Sequence, residues 1–151
     1  MIQHIQTLCI GIGDGACYAL SLIKVAERFL ARDLDVLRAI SEAIEKKIIV
    51  DGKETTIIKF NWGTPTDNVA MYVNSPAEFL KMLTGRNWTW RREDATYKTE
   101  NPKEYVINSW GMSNAEGAPR HFTFGQDDTL FVSPLRTKGK LISVRVCRVE
   151  A

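Results

Sequence analysis

The sequence predicts an α+β domain with N-terminal helices packed on a C-terminal antiparallel sheet. Apolar residues recur at helical spacing before Gly85, strand-like runs dominate after it, and no helix separates one late strand from the next, so the βαβ alternation of a parallel sheet is absent. A chain of 151 residues suits one domain, residues 1–151, and buries roughly 68–70% of the surface its unfolded form exposes. With 44% hydrophobic and 25% charged residues, the composition is that of an ordinary globular protein.

The elements follow in order. Over residues 17–31, Ala19, Leu20, Leu22, Ile23, Ala26, Phe29 and Leu30 fall on one side of a helix, and Ser21, Lys24, Glu27 and Arg28 on the other. A second helix, capped by Asp33 and running to about Ile48, turns Val36, Leu37, Ile40, Ala43 and Ile44 inward and Arg38, Glu42, Glu45 and Lys46 outward. Asp51-Gly52 supplies turn chemistry between Ile48-Ile49-Val50 and the β-rich run Thr55 to Phe60. Ser75-Pro76-Ala77-Glu78 joins an N-cap serine, a proline at the first helical position and a glutamate three residues after the cap. That helix ends near Leu83 and is closed by Gly85. Strands follow at Trp88/Trp90, Tyr105 to Ile107, His121 to Phe124, Leu130 to Val132 and Leu141 to Val149, with long loops at 93–103 and 111–119.

Twenty Lys plus Arg against eighteen Asp plus Glu leave a formal charge of +2, which makes no electrostatic case for nucleic acid or for acidic substrates. The segment Met1-Ile2-Gln3-His4 lacks the basic region of a signal peptide, and the apolar stretch after it is broken by Gly11, Gly13 and Asp14; no membrane anchor is expected. Three cysteines, Cys9, Cys17 and Cys147, are too few and too odd for a disulfide scaffold and lack the paired spacing of a zinc site. A reduced, cytoplasmic protein without metal or cofactor is the expectation. Cys9 and Cys147 read as structural. Four tryptophans, Trp62, Trp88, Trp90 and Trp110, suit a core or groove, and alternation with Ile142, Val144 and Val146 puts Arg136, Lys138, Lys140, Arg145 and Arg148 on a solvated face.

Cys17 stands apart. It follows Gly11-Ile12-Gly13-Asp14-Gly15-Ala16, so a glycine-rich bend delivers it to the first turn of a helix. Unpaired N–H groups and the positive end of the dipole stabilise a thiolate there. Backbone N–H groups of Gly13, Asp14 and Gly15 are candidates for an oxyanion hole. A small buried hydrophobe at a helix start fits the same position.

A thiolate needs a base. His4 lies near the N-terminus, whereas His121 opens His121-Phe122-Thr123-Phe124, which reads with Leu130-Phe131-Val132-Ser133-Pro134 as a hairpin. A three-residue loop, Gln126-Asp127-Asp128, sets His121 opposite Ser133 on one face. Asp127 and Asp128 then fall at the tip, roughly 20 Å away. Asn108-Ser109-Trp110-Gly111 reads as a strand end entering a loop, from which Asn108 has a route to His121 across a neighbouring strand.

The helix-first cysteine in Asp14-Gly15-Ala16-Cys17-Tyr18-Ala19-Leu20, the long middle, the hairpin from His121-Phe122 to Ser133-Pro134 and the run Gly139-Lys140-Leu141-Ile142-Ser143-Val144-Arg145 together resemble a papain-like cysteine peptidase domain. Similarity is greatest to bacteriocin-leader (double-glycine) peptidases. The layout, with Val73-Asn74-Ser75-Pro76-Ala77-Glu78-Phe79-Leu80 before the histidine hairpin, also resembles a family of short uncharacterised bacterial and phage proteins. The resemblance implies Cys17 as nucleophile, His121 as general base and acid, a third residue orienting the imidazole, and a peptide or protein substrate cleaved at an amide or isopeptide bond. Ser133 stands where the family has Asp or Asn, and Ile10, Gly11 and Ile12 where it has an oxyanion glutamine. Asn108-Ser109-Trp110-Gly111 matches the papain asparagine motif but precedes His121 instead of following it. A catalytically inactive papain-like binding domain is the alternative. The box Asp14-Gly15-Ala16-Cys17 also looks like that of ovarian-tumour-type deubiquitinases, a weaker one.

Overall fold

A computed structural model describes residues 15–61, 70–112, 121–124 and 138–150. Among them are three helices and eight strands: α1 (Gly15–Leu30), α2 (Val36–Glu45), β1 (Lys47–Val50), β2 (Lys53–Thr56), β3 (Ile58–Asn61), β4 (Ala70–Val73), α3 (Pro76–Thr84), β5 (Trp88–Asp94), β6 (Glu104–Met112), β7 (His121–Phe124) and β8 (Lys138–Val149). Every strand pairing is antiparallel. The architecture is α+β, with the helices early and the larger sheet late.

Local chemistry accounts for the short elements. Asp51 and Gly52 both adopt positive φ, 51° and 78°, the pairing a two-residue hairpin turn demands, and Val50 pairs with Lys53. The Ser75 side chain accepts from the Glu78 N–H, Pro76 opens α3, and Gly85 ends it in the left-handed region at φ 72°. The predicted cap of α2 moves from Asp33 to Asp35, whose carboxylate accepts from the Arg38 N–H at 3.1 Å. That helix stops at Glu45 instead of Ile48, because Lys47 to Val50 pair with β2. Leu37, predicted inward, is 60% exposed.

The core lies where α1 meets α3, β4 and the large sheet. Leu20, Leu22, Ile23 and Val25 of α1 are fully buried with Ile57, Ile58, Phe79, Leu80 and Ile107. Asn74 ties the small sheets together: its N–H donates to the Ile57 carbonyl at 2.8 Å and its Nδ2 to the Thr56 carbonyl at 2.9 Å. Ser21, predicted outward, is fully buried. Its hydroxyl donates to the Cys17 carbonyl one turn back at 2.8 Å, a bond that lets serine sit inside a helix interface.

The large sheet runs β5-β8-β6-β7. Alternation assigns Trp88, Trp90, Arg92, Tyr105, Ile107, Ser109, Phe122, Phe124, Ser143, Arg145 and Cys147 to the face that meets α1, and Thr89, Arg91, Glu93, Glu104, Val106, Val144, Val146 and Arg148 to the other. Val144 and Val146 are buried on that second face, and Arg145 is half-buried among rings on the first. The expectation of Arg145 on a solvated face is therefore corrected. On the second face, Glu104 accepts from Tyr97 Oη and Thr99 Oγ1, both at 2.6 Å, and from Arg91 at 3.1 Å. Its carboxylate is only 5% exposed, so this cluster clasps the segment between β5 and β6 onto the sheet.

Candidate functional site

Cys17 lies in the first turn of α1, which begins at Gly15. The N–H groups of Gly15, Ala16 and Cys17 have no acceptor within the helix, as in any first turn. α1 packs against β7, and the contact sets the Phe122 backbone N–H donating to the Cys17 sulfur at 3.3 Å. Phe122 directly follows His121. The Tyr18 and Phe122 rings pack at 4.6 Å between centroids, so two side-by-side contacts hold the start of α1 against this strand.

The two described thiols have different surroundings. Both are buried. Cys147 belongs to the apolar core, and burial pushes its thiol up to about 12, so it stays neutral. Cys17 is fully buried at a helix start with an N–H on its sulfur. A donor on sulfur favours the thiolate, and burial opposes it.

Polar groups adjoin the pair on the α1 face. Ser109 lies opposite Phe122 on one side and Ser143 on the other. Ser109 Oγ is buried and, among the described residues, has no hydrogen-bond partner. Arg145 Nη1 donates to Ser143 Oγ at 2.9 Å, and the guanidinium lies 5.6 Å from the Phe122 ring centroid and 6.0 Å from that of Trp90. Trp90 Nε1 donates to Tyr18 Oη. Burial, followed by the nearby Cys147, raises the Tyr18 phenol well above its usual range, so it remains protonated.

Of the predicted site residues, Cys17 and the backbone of the segment that opens at His121 come together, whereas register position 121, paired with Trp110, falls with Thr123 and Asn108 on the face away from α1. Gly15 is the first residue of α1, whereas Gly13, Asp14 and Ser133 lie outside the described residues, as do Cys9, Trp62 and Leu130 to Val132. The motif Asn108-Ser109-Trp110-Gly111 lies at the C-terminal end of β6, which stops at Met112, and the register with β8 slips between Ser109 and Trp110. Asn108 pairs with Thr123, and Trp110 with His121. Ser109 and Arg145 were missed as site residues. Alternation on β6 and β8 groups each with its neighbours but does not reveal which face receives α1.

Among the described residues no three His, Cys, Asp or Glu side chains converge as a metal site, and no helix is long and apolar enough to cross a membrane. A scan against protein-family models finds no match, and searches of curated proteins and of solved structures find none either.

Proposed function

We propose that this chain is a papain-like cysteine peptidase or amidohydrolase that cleaves an amide or isopeptide bond of a peptide or protein substrate through Cys17 and His121. One observation carries the reading: the Phe122 N–H on the Cys17 sulfur, 3.3 Å away, joins the helix-first cysteine to the residue next to the histidine. In the reaction His121 takes the Cys17 proton and the thiolate attacks the acyl carbon. The displaced electron pair rests on the acyl oxygen, which N–H groups at the start of α1 stabilise. The C–N bond then breaks as His121 returns the proton to the leaving amine, leaving a thioester. Water, deprotonated by His121, attacks that thioester; the C–S bond breaks and Cys17 recovers its proton.

A second reading, a catalytically inactive domain that binds a partner through the same region, is favoured by the complete burial of Cys17. Alkylation separates the two. With an activated Cys17, iodoacetamide at pH 6 modifies it faster than it modifies glutathione, and His121→Ala slows the reaction. A Cys17 that reacts no faster than glutathione removes the peptidase reading and leaves the binding domain.

A further inference from the structure

An overall charge of +2 leaves room for local imbalance, and the strand register shows one. Arg148 on β8 stands directly opposite Thr89 on β5 and opposite Glu104 on β6, in one row of the face turned away from α1. A cross-strand ion pair between Arg148 and Glu104 is the arrangement that row favours. It does not form. The Glu104 carboxylate is occupied by Tyr97, Thr99 and Arg91, and none of the ion pairs between described residues includes Arg148.

Arg148 instead lines a pocket of about 290 Å³ at the end of the sheet, with Lys103, Thr89, Val149 and Glu150. Lys103 is likewise absent from the ion pairs between described residues, and so is Glu150, the one acid in the lining. Arg86 adds a third cation close by, its Nη2 3.4 Å from the Glu150 carbonyl oxygen. Backbone bonds hold the walls. The Lys103 N–H donates to Asn101 Oδ1 at 2.9 Å, the Lys103 carbonyl accepts from the Val149 N–H at 3.1 Å, and the Glu150 N–H donates to the Asn87 carbonyl at 2.9 Å. The two lining cations therefore stand on stems that the sheet already fixes, which lowers the cost of ordering them around an anion.

We propose that this pocket binds a phosphate group, as free phosphate or as a small phosphate ester, between Arg148 and Lys103 with the Thr89 hydroxyl as a neutral donor. A dianionic phosphate fits better than a carboxylate. Its charge matches the two lining cations, the guanidinium fork takes two of its oxygens, and the ammonium and the hydroxyl reach the others. Glu150 at the rim repels a long polyanion. The inference does not depend on the peptidase reading.

Backbone amide NMR tests it, with the full chain titrated at pH 7.5 and constant ionic strength with inorganic phosphate, glycerol 3-phosphate or acetate. Both phosphates should give saturable shifts centred on Thr89, Lys103 and Arg148 to Glu150, the tighter of the two identifying the source of the group. Acetate should bind at least about tenfold more weakly, since one charge-assisted hydrogen bond is worth more than that factor. Arg148→Gln and Lys103→Gln, both at exposed positions, should each weaken phosphate binding by about tenfold or more. Lys53→Gln, which removes the same charge from exposed β2, should leave it unchanged. The same spectra report whether each variant is folded, and the comparison of phosphate with acetate needs no variant. Shifts that grow linearly without saturating, acetate binding as tightly as phosphate, or an unchanged phosphate affinity in folded Arg148→Gln would each overturn the site.

Discussion

The Phe122 N–H donates to the Cys17 sulfur at 3.3 Å across 105 positions of sequence. Phe122 is a strand residue whose ring packs on Tyr18, so the bond is buttressed by a neighbouring contact. It fixes the start of α1 on β7 and puts a hydrogen-bond donor where a thiolate benefits from one.

The two described thiols should therefore behave differently. Cys147 lies in the apolar core with its thiol pushed up to about 12, and native protein at pH 8 should leave it unmodified by iodoacetamide until the chain unfolds. Mass mapping of labelled peptides checks this; rapid native-state labelling of Cys147 contradicts it.

Ser109 supplies a test that needs no substrate. Its hydroxyl is buried without a partner among the described residues, so Ser109→Ala should leave stability unchanged or raise it by about 1 kcal/mol, the lower end of the cost of an unsatisfied buried polar group. Denaturant unfolding measures the difference. A loss of similar size would mean that the hydroxyl is already satisfied.

The Glu104 clasp predicts an acid dependence. Hydrogen bonds from Thr99 and Tyr97, with Arg91 beside them, hold the Glu104 carboxyl below its usual value of 4.5. Because the folded value lies below the unfolded one, the stabilisation is complete above about pH 4.5 and is lost as pH falls through the folded value. Glu104→Gln should destabilise the protein at pH 7 and flatten its stability profile below pH 5. Equal acid sensitivity in the variant and the wild type would assign that sensitivity to other carboxylates.

At α3, Ser75→Ala should cost about 1 kcal/mol through loss of the cap. Gly85→Ala should cost roughly 1–2 kcal/mol from the left-handed backbone alone, since no atom lies within 4 Å of the added methyl. Thermal unfolding of the two variants separates these costs from packing effects.

Legibility in the sequence followed the range of the interactions. Ser75-Pro76-Ala77-Glu78 with Gly85 and the turn Asp51-Gly52 were readable because cap and turn geometry depends on residues a few positions apart. Ser21 was misassigned because polarity signals exposure only where no acceptor is at hand, and the Cys17 carbonyl is one turn away. Arg145 was misassigned because period-2 alternation separates two faces without saying which is covered, and here residues on both are buried. Strand order β5-β8-β6-β7 rests on pairings between distant segments, which no local pattern encodes. Cys17 was singled out by its glycine-rich approach and helix-first position, whereas the polar row of Ser109, Ser143 and Arg145 beside it emerges only from the register.

Following the His121 ring by NMR through a pH titration, in wild type and in Cys17→Ser with His121→Ala assigning the signal, decides whether Cys17 and His121 share a proton. A thiolate–imidazolium pair titrates as a coupled unit. The His121 midpoint should move to lower pH when the sulfur is replaced. Superimposable titration curves in the two proteins would contradict it.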